Sequence, residues 1–316
     1  MRLIGRSGSE YAIMSTVSAT HQRRRSRRLI FAAAAALLVL AIALVVSDRF
    51  GGDEASRPAQ EPTSSPQKPA KLVFSSDFSD GIDEFSEQIH PERISAVDDP
   101  VLGSDRKVLK FEVYNEDTGP TENPRAQLET PRDFEEGDDR FAGFSYYFPE
   151  EFPTELPSQA WVSLGSIAYG PPYDGAGPLS IRVQNAVDGS GAEIRWQRND
   201  TYDNDIPWIG PKIEDIQGRW VDFVFRAKLG RDSDDGFVEL WMNTGSGWER
   251  QKLDGDEEHL EMNTYDDSND GGPNNSRLGL YYRADIPGPL TLYQGPIKIA
   301  TAGEGAFELV APDSYR

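Results

Sequence analysis

Trp220-Val-Asp-Phe-Val-Phe-Arg-Ala-Lys228, the turn Gly230-Arg-Asp-Ser-Asp-Asp-Gly236 and Phe237-Val-Glu-Leu-Trp-Met242 form the stretch that decides the fold. Two runs dense in aromatic and β-branched residues flank a Gly/Asp/Ser turn, which predicts two antiparallel strands joined as a hairpin. The same pattern continues outward in both directions. Short apolar segments bounded by Gly, Pro, Asn and Asp recur at Val108–Tyr114, Phe141–Phe148, Trp161–Tyr169, Leu179–Gln184, Glu193–Arg198, Leu278–Arg283, Leu290–Ile299 and Phe307–Val310. Asn185–Gly191 supplies a second hairpin turn. After Lys71 no stretch carries apolar residues at helical three-and-four spacing, and one helical turn is expected near Lys212–Gln217. About ten strands across residues 71–316 predict an all-β jelly-roll sandwich of two antiparallel sheets.

Side chains alternate between the two faces of a strand, so parity sorts them. Ile181 and Val183 share one face, with Ser180, Arg182 and Gln184 on the other; Ile194 and Trp196 oppose Glu193, Arg195 and Gln197. Arg125, Gln127 and Glu129 lie opposite Ala126 and Leu128. Arg277, Gly279, Tyr281 and Arg283 lie opposite Leu278, Leu280 and Tyr282. Four strands thus carry Arg, Gln and Tyr on a polar face. A merely solvated face in so acidic a chain should carry Asp and Glu, so this face is read as a carbohydrate or uronate groove. Trp161, Trp220 and Trp241 lie within apolar strands and are expected in the core. Trp208 follows Pro207 near Tyr202, where stacking on a sugar and anchoring of a loop are both open.

The chain has 316 residues, no cysteine and a formal net charge of −21. Thiol chemistry, disulfides and cysteine-ligated metals are excluded. Residues 1–70 hold ten Lys/Arg against five Asp/Glu, leaving 22 against 48 in residues 71–316, a balance of −26. Such a body repels nucleic acid, which is not an expected partner. Arg23, Arg24, Arg25, Arg27 and Arg28 precede an unbroken apolar run, Leu29–Val46, which as a helix spans about 27 Å, close to a bilayer core. The run exceeds the apolar stretch of a secretory signal and no Ala-x-Ala site follows it. Residues 1–28 are therefore expected to be a cytoplasmic basic tail and 29–47 an uncleaved transmembrane signal anchor. Residues 48–70, rich in Pro and Ser, form a linker that holds an extracytoplasmic domain, 71–316, off the membrane.

The segments Asn123-Pro-Arg125-Ala-Gln127-Leu128, Gly143-Phe-Ser-Tyr-Tyr-Phe-Pro149, Gly218-Arg-Trp220-Val-Asp-Phe-Val-Phe225, Gly236–Asn243 and Leu278-Gly-Leu-Tyr281-Tyr-Arg283 occur in this order. From about Leu72 to Pro312 the chain resembles jelly-roll polysaccharide lyases of the heparin lyase I and glucuronan lyase type and, more distantly, alginate lyases. The resemblance implies a concanavalin-like sandwich and β-elimination on a uronic-acid polymer. In such enzymes an Arg or amide neutralises the C5 carboxylate, a His or Tyr takes the C5 proton, and a Tyr protonates the leaving oxygen. The alginate lyase motif Arg-x-Glu-Leu-Arg maps onto Arg125-Ala-Gln127-Leu128-Glu129, which keeps the first Arg only. The motif around the catalytic tyrosine maps onto Asn275–Arg283, aligning Arg277 with its Lys and Tyr281 with its Tyr. The Gln-x-His motif falls on Gly165–Tyr169, where Ser166 and Ala168 replace Gln and His. The usual base is thus missing.

A single tyrosine can act as both base and acid when proton and leaving group share one side of the ring. Tyr281 is the expected catalytic residue, with Arg125 and Gln127 neutralising the carboxylate; Arg125 or Arg283 would have to favour its phenolate. Arg182, Arg195, Arg277 and Arg283 are expected to bind substrate, with His90, in an upstream Gln88-Ile89-His90, as a further candidate. The expected partners are an acidic or neutral polysaccharide and, through the anchor, the membrane. No cofactor is expected. Calcium is conceivable at the acidic turns Asp232–Asp235 and Asp266–Asp270, although neither has EF-hand spacing and Asp-rich turns are ordinary hairpin chemistry. A competing reading is a non-catalytic cell-surface glycan-binding module. A hydrolase is disfavoured, because no strand carries paired carboxylates in a Glu-x-Asp-x-x-Glu arrangement.

Overall fold

The computed structural model describes residues 68–118, 123–168, 177–198, 206–255, 257–265 and 274–315. The expected cytoplasmic tail, the apolar run Leu29–Val46, nearly all of the linker, Tyr202 and the turn Asp266–Asp270 lie outside these residues. No helix among the described residues is long and apolar enough to cross a membrane.

The strands are β1 (Leu72–Ser76), β2 (Glu87–Ile89), β3 (Ile94–Asp99), β4 (Gly103–Val113), β5 (Arg125–Glu129), β6 (Asp139–Tyr147), β7 (Trp161–Ala168), β8 (Leu179–Asn185), β9 (Ala192–Arg198) and β10 (Trp208–Lys212). They continue as β11 (Trp220–Lys228), β12 (Phe237–Asn243), β13 (Glu249–Arg250), β14 (Leu260–Glu261), β15 (Asn275–Tyr282), β16 (Leu290–Gln294) and β17 (Ile297–Thr301). Two short helices, α1 (Ile213–Ile216) and α2 (Ala306–Val310), complete the described elements along with a 3₁₀ turn at Pro91–Arg93. All pairings between strands are antiparallel. One sheet runs β10-β9-β8-β7-β15-β5-β2. The other runs β13-β12-β11-β6-β16-β4-β3, with β14 beside β12 and β17 joining β1 to β6.

The hairpin predicted from Trp220 to Met242 forms, with Val224 opposite Trp241 and Lys228 opposite Phe237. The hairpin at Asn185–Gly191 forms between β8 and β9. Inward-facing residues of both sheets make one core. Leu128, Leu164, Val183, Trp196, Leu280 and Tyr282 come from the first sheet, and Phe111, Tyr146, Phe223 and Leu240 from the second. Burying each such side chain stabilises the fold by roughly 1.5–3 kcal/mol before entropy is counted.

Three expectations are corrected. Phe307–Val310 lies in a helix, because Gly305 at φ 76 turns the chain, and Ala306 and Val310, one helical turn apart, are the buried pair. Leu290–Ile299 is two strands, broken at Gly295-Pro296, where proline offers no N–H to a ladder. Two of the three tryptophans expected in the core lie elsewhere: Val162 and Leu164 point inward, which turns Trp161 out onto the polar face, and Trp241 is half-buried on the outward face of the second sheet, opposite in parity to buried Leu240; Trp220 is buried as expected, at 2 % exposure. Trp208 is 5 % exposed and packs edge-on against Trp196 and Phe223.

Candidate active site

The register of the first sheet sets a line of side chains across its polar face. Arg125 on β5 lies opposite Tyr281 on β15, Tyr281 opposite Ser163 on β7, Ser163 opposite Arg182 on β8, and Arg182 opposite Arg195 on β9. Four gaps between adjacent strands make this row about 19 Å long. It holds its alignment because β7 is bulged between Ser163 and Gly165, and the β15–β7 pairing shifts between Leu278 and Tyr281. Without those irregularities Ser163 and Tyr281 would fall out of line.

Tyr281 is enclosed by aromatic and cationic groups. The Arg125 guanidinium sits 4.4 Å from the ring centroid, and the Trp161 ring meets Tyr281 edge-on at 4.8 Å. Arg182 lies 5.2 Å from the centroid of Trp161 and donates to Gln197 Oε1 at 2.7 Å. Desolvation holds the Arg182 guanidinium below its ordinary pKa, and the nearby Tyr281 oxygen acts in the opposite sense. Gln127 lies opposite Gly279, one step along β5 from the row. It is 2 % exposed, and its Oε1 has no hydrogen-bond partner among the described residues.

Other candidates are committed elsewhere. Arg277 pairs with Glu129 directly across the β5–β15 ladder, its Nε donating at 2.8 Å. Arg132 and Asn275 also reach that carboxylate, each at 2.9 Å. Burial pushes Glu129 up, but Arg277, Asn275 and Arg132 outweigh it and hold the acid below the usual carboxylate range. Arg195 is tied to Glu193 and to the Asn185 carbonyl, both at 2.9 Å. Arg283 stands just past the end of β15, donating to the Gln159 carbonyl at 3.1 Å and pairing with Asp285 at 3.0 Å. His90 opens the 3₁₀ turn after β2 in a left-handed conformation, with ring nitrogens at Glu92 (2.9 Å) and the Thr118 carbonyl (3.4 Å). The structure thus brings Arg125, Tyr281, Arg182 and Arg195 into one row with Gln127 and Arg277 beside it, and leaves His90 and Arg283 at strand ends.

Sequence reasoning missed Trp161 and Ser163, and it placed Gln197 on the polar face without its bond to Arg182. Parity within Trp161–Tyr169 would have found the first two, had the aromatic density of that strand not been read as core. Ala168, opposite Asn275, stands where the resemblance places the histidine. Among the described residues no group of three His, Asp or Glu could hold a metal ion. At the first acidic turn Asp232 Oδ1 accepts the backbone N–H of Asp234 and Asp235, the bonding of an ordinary Asx turn.

An endo-β-1,4-glucuronan lyase from the fungus Trichoderma reesei superposes with a TM-score of 0.52 at 18 % identity, over 77 % of this chain and 100 % of that one. A β-glucanase catalytic domain from Podospora anserina gives 0.46 at 14 % identity, over 72 % and 95 %. The alginate lyase from Klebsiella pneumoniae gives 0.40 at 12 % identity, over 64 % and 83 %. No curated protein matches in sequence. At these identities the solved structures speak for the fold alone. The family model for polysaccharide lyases matches residues 76–296, from the last residue of β1 to the break between β16 and β17, and the chain therefore belongs to the polysaccharide lyase family.

Proposed function

We propose that this protein cleaves a uronic-acid-containing polysaccharide by β-elimination, in a domain held outside the cytoplasm by the anchor at residues 29–47. The observation that carries the reading is the contact of the Arg125 guanidinium with the Tyr281 ring, in line with Arg182. The base in this reaction is the Tyr281 phenolate, and the guanidiniums of Arg125 and Arg182 stand in one row with it. A uronate carboxylate placed against Arg125 and the Gln127 amide has its charge neutralised, which acidifies the C5 proton. The Tyr281 oxygen takes that proton, the C5–H electron pair becomes the C4=C5 double bond, and the C4–O bond breaks. The same hydroxyl then gives the proton to the departing oxygen, so one residue serves as base and acid. Trp161 and Arg182 hold the neighbouring sugar. Arg195 and Arg277, already paired with Glu193 and Glu129, keep the floor of the groove rigid, and Arg283 and His90 border it.

The full chain incubated with a panel of polyuronates and glycosaminoglycans should generate ultraviolet absorbance from an unsaturated sugar on at least one polymer. Tyr281→Phe and Arg125→Ala should each lower that rate by about 10²–10⁴-fold. A second reading, a glycan-binding module without turnover, draws on Ala168 and on the internal ion pairs of Arg277 and Arg195. Binding of a polymer with no absorbance change on any member of the panel would select it.

A further inference from the structure

We propose a second polysaccharide-binding site on the outward face of the other sheet, centred on Trp241, Trp248 and Arg250. Phe141, Arg226, Glu239, Trp241, Trp248, Arg250 and Phe307 line a surface cleft of about 670 Å³ there. It lies on the opposite side of the sandwich from the row through Tyr281. Register builds it: Phe141 pairs with Arg226, Arg226 with Glu239, and Trp241 with both Val224 and Arg250. Phe141, Arg226, Glu239 and Trp241 have the outward parity of β6, β11 and β12, and the aromatic rings rest on a small second cluster of Val224, Ala300 and Val310, outside the main core.

The rings are packed at their edges and left partly open to solvent. Phe307, projecting from α2, meets Trp241 at 5.5 Å and Trp248 at 5.3 Å, both edge-on, and Phe141 stacks on Trp241 at 6.0 Å. Neither tryptophan nor either phenylalanine is buried. Glu239, 6 % exposed, forms the floor and accepts from Arg250 at 2.7 Å, Arg226 at 3.4 Å and His259 at 3.2 Å. Arg226 is also held by Asp139, so it is fixed in place. Arg250 reaches Glu258 at 3.3 Å at the rim, lies 5.3 Å from the Trp241 centroid, and is exposed.

The occupant follows from this chemistry. A pyranose ring presents an apolar C–H face and a hydroxyl edge, and the cleft offers tryptophan rings beside an exposed guanidinium and acidic acceptors. The opposed charges nearly cancel, so stacking carries the binding and Arg250 orients the sugar. A polysaccharide chain is the polymer this family handles, and one gripped in the groove has other segments close at hand, which raises their effective concentration at a second site. The inference rests on family membership and does not depend on the elimination mechanism.

The test titrates the full chain carrying Tyr281→Phe with a glucuronate hexasaccharide and with cellohexaose, following tryptophan fluorescence and stoichiometry by calorimetry. Two molecules of at least one probe should bind per chain. Adding Trp248→Ala or the exposed Arg250→Ala should weaken one of them by roughly tenfold and leave the other unchanged. Binding that survives both substitutions, whether of one molecule or of two, overturns the site, whereas a single molecule lost with Trp248→Ala keeps the site and removes binding at the Tyr281 row. Self-association that Trp248→Ala abolishes would assign the cleft to a second copy and overturn it equally. With Tyr281 restored, absence of unsaturated product alongside the two-site result would remove the lyase reading and leave this one standing.

Discussion

Asp222 is a carboxylate buried by residues distant from it in sequence. It lies on the outward face of β11 between Ser145 and Asn243 and is fully buried, because the last residues of the chain fold over it. Ser314 sits above it and accepts a hydrogen bond from Arg106 at 3.0 Å, while the Tyr315 hydroxyl bonds the Trp220 carbonyl. Burial raises the Asp222 carboxyl to about 6, against the pull of Ser314 and Arg106 and with a further push from Asp313. A carboxyl raised on folding favours the native state while protonated. That contribution is complete below the unfolded value near 4 and is lost as pH rises through 6. Asp222→Asn should therefore flatten the dependence of Tm on pH between 4 and 7, with the wild type losing roughly 2–3 kcal/mol relative to the variant over that window. Parallel profiles for the two proteins would place the strap's anchorage elsewhere. Nothing in the sequence announces this carboxylate, since Trp220-Val-Asp222 gives a polar residue on an outward face, and the strap that buries it arrives from 90 residues away.

At the scale of the element, β15 is the strand that the site depends on most. Gly279 adopts φ +112, and a Cβ there would overlap the Ala126 carbonyl and stand 2.8 Å from Phe111. Gly279→Ala should lower stability by about 1–3 kcal/mol and displace Tyr281, so that activity falls further than stability explains; denaturant unfolding beside the absorbance assay measures both. Much of the fold was legible because alternation survives in the sequence of the central strands: Ile181, Val183, Ile194, Trp196, Val221 and Phe223 are buried as parity assigns, although Glu193, Arg195 and Asp222 on the opposite faces are buried too. The short strands β2, β13 and β14 carry too few residues to alternate visibly. The helix α2 was hidden because Phe307–Val310 is as apolar as a strand and only Gly305 marks the change. Arg125 and Tyr281 were legible as a polar face. Their contact with Trp161 was not, because it depends on which strands neighbour which, and on the bulge after Ser163.

Across the whole molecule, charge governs the approach of substrate. A body at −26 repels a polyanion, while the guanidiniums proposed to bind one line the polar face of the first sheet. Raising ionic strength from 0.01 to 0.15 M shortens the screening length from about 30 to about 8 Å, which removes the distant repulsion before it weakens contacts at the site. The kcat/KM on a polyuronate should rise over that range and stay flat on a neutral oligosaccharide; a fall would mean that the groove's own cations control encounter. The pairing of strands has a consequence for manufacture. β1 is hydrogen-bonded to β17, and β5 waits for β15 to join it to β7. A ribosome releases the first strands long before the last, so during synthesis both sheets stand open, with edges unsatisfied, for most of the chain's length. Arg125 and Tyr281 first meet when more than nine-tenths of the journey from β1 to Ile297 is complete. The growing chain carries no half-working groove, and its need for protection from aggregation is greatest just before the site exists.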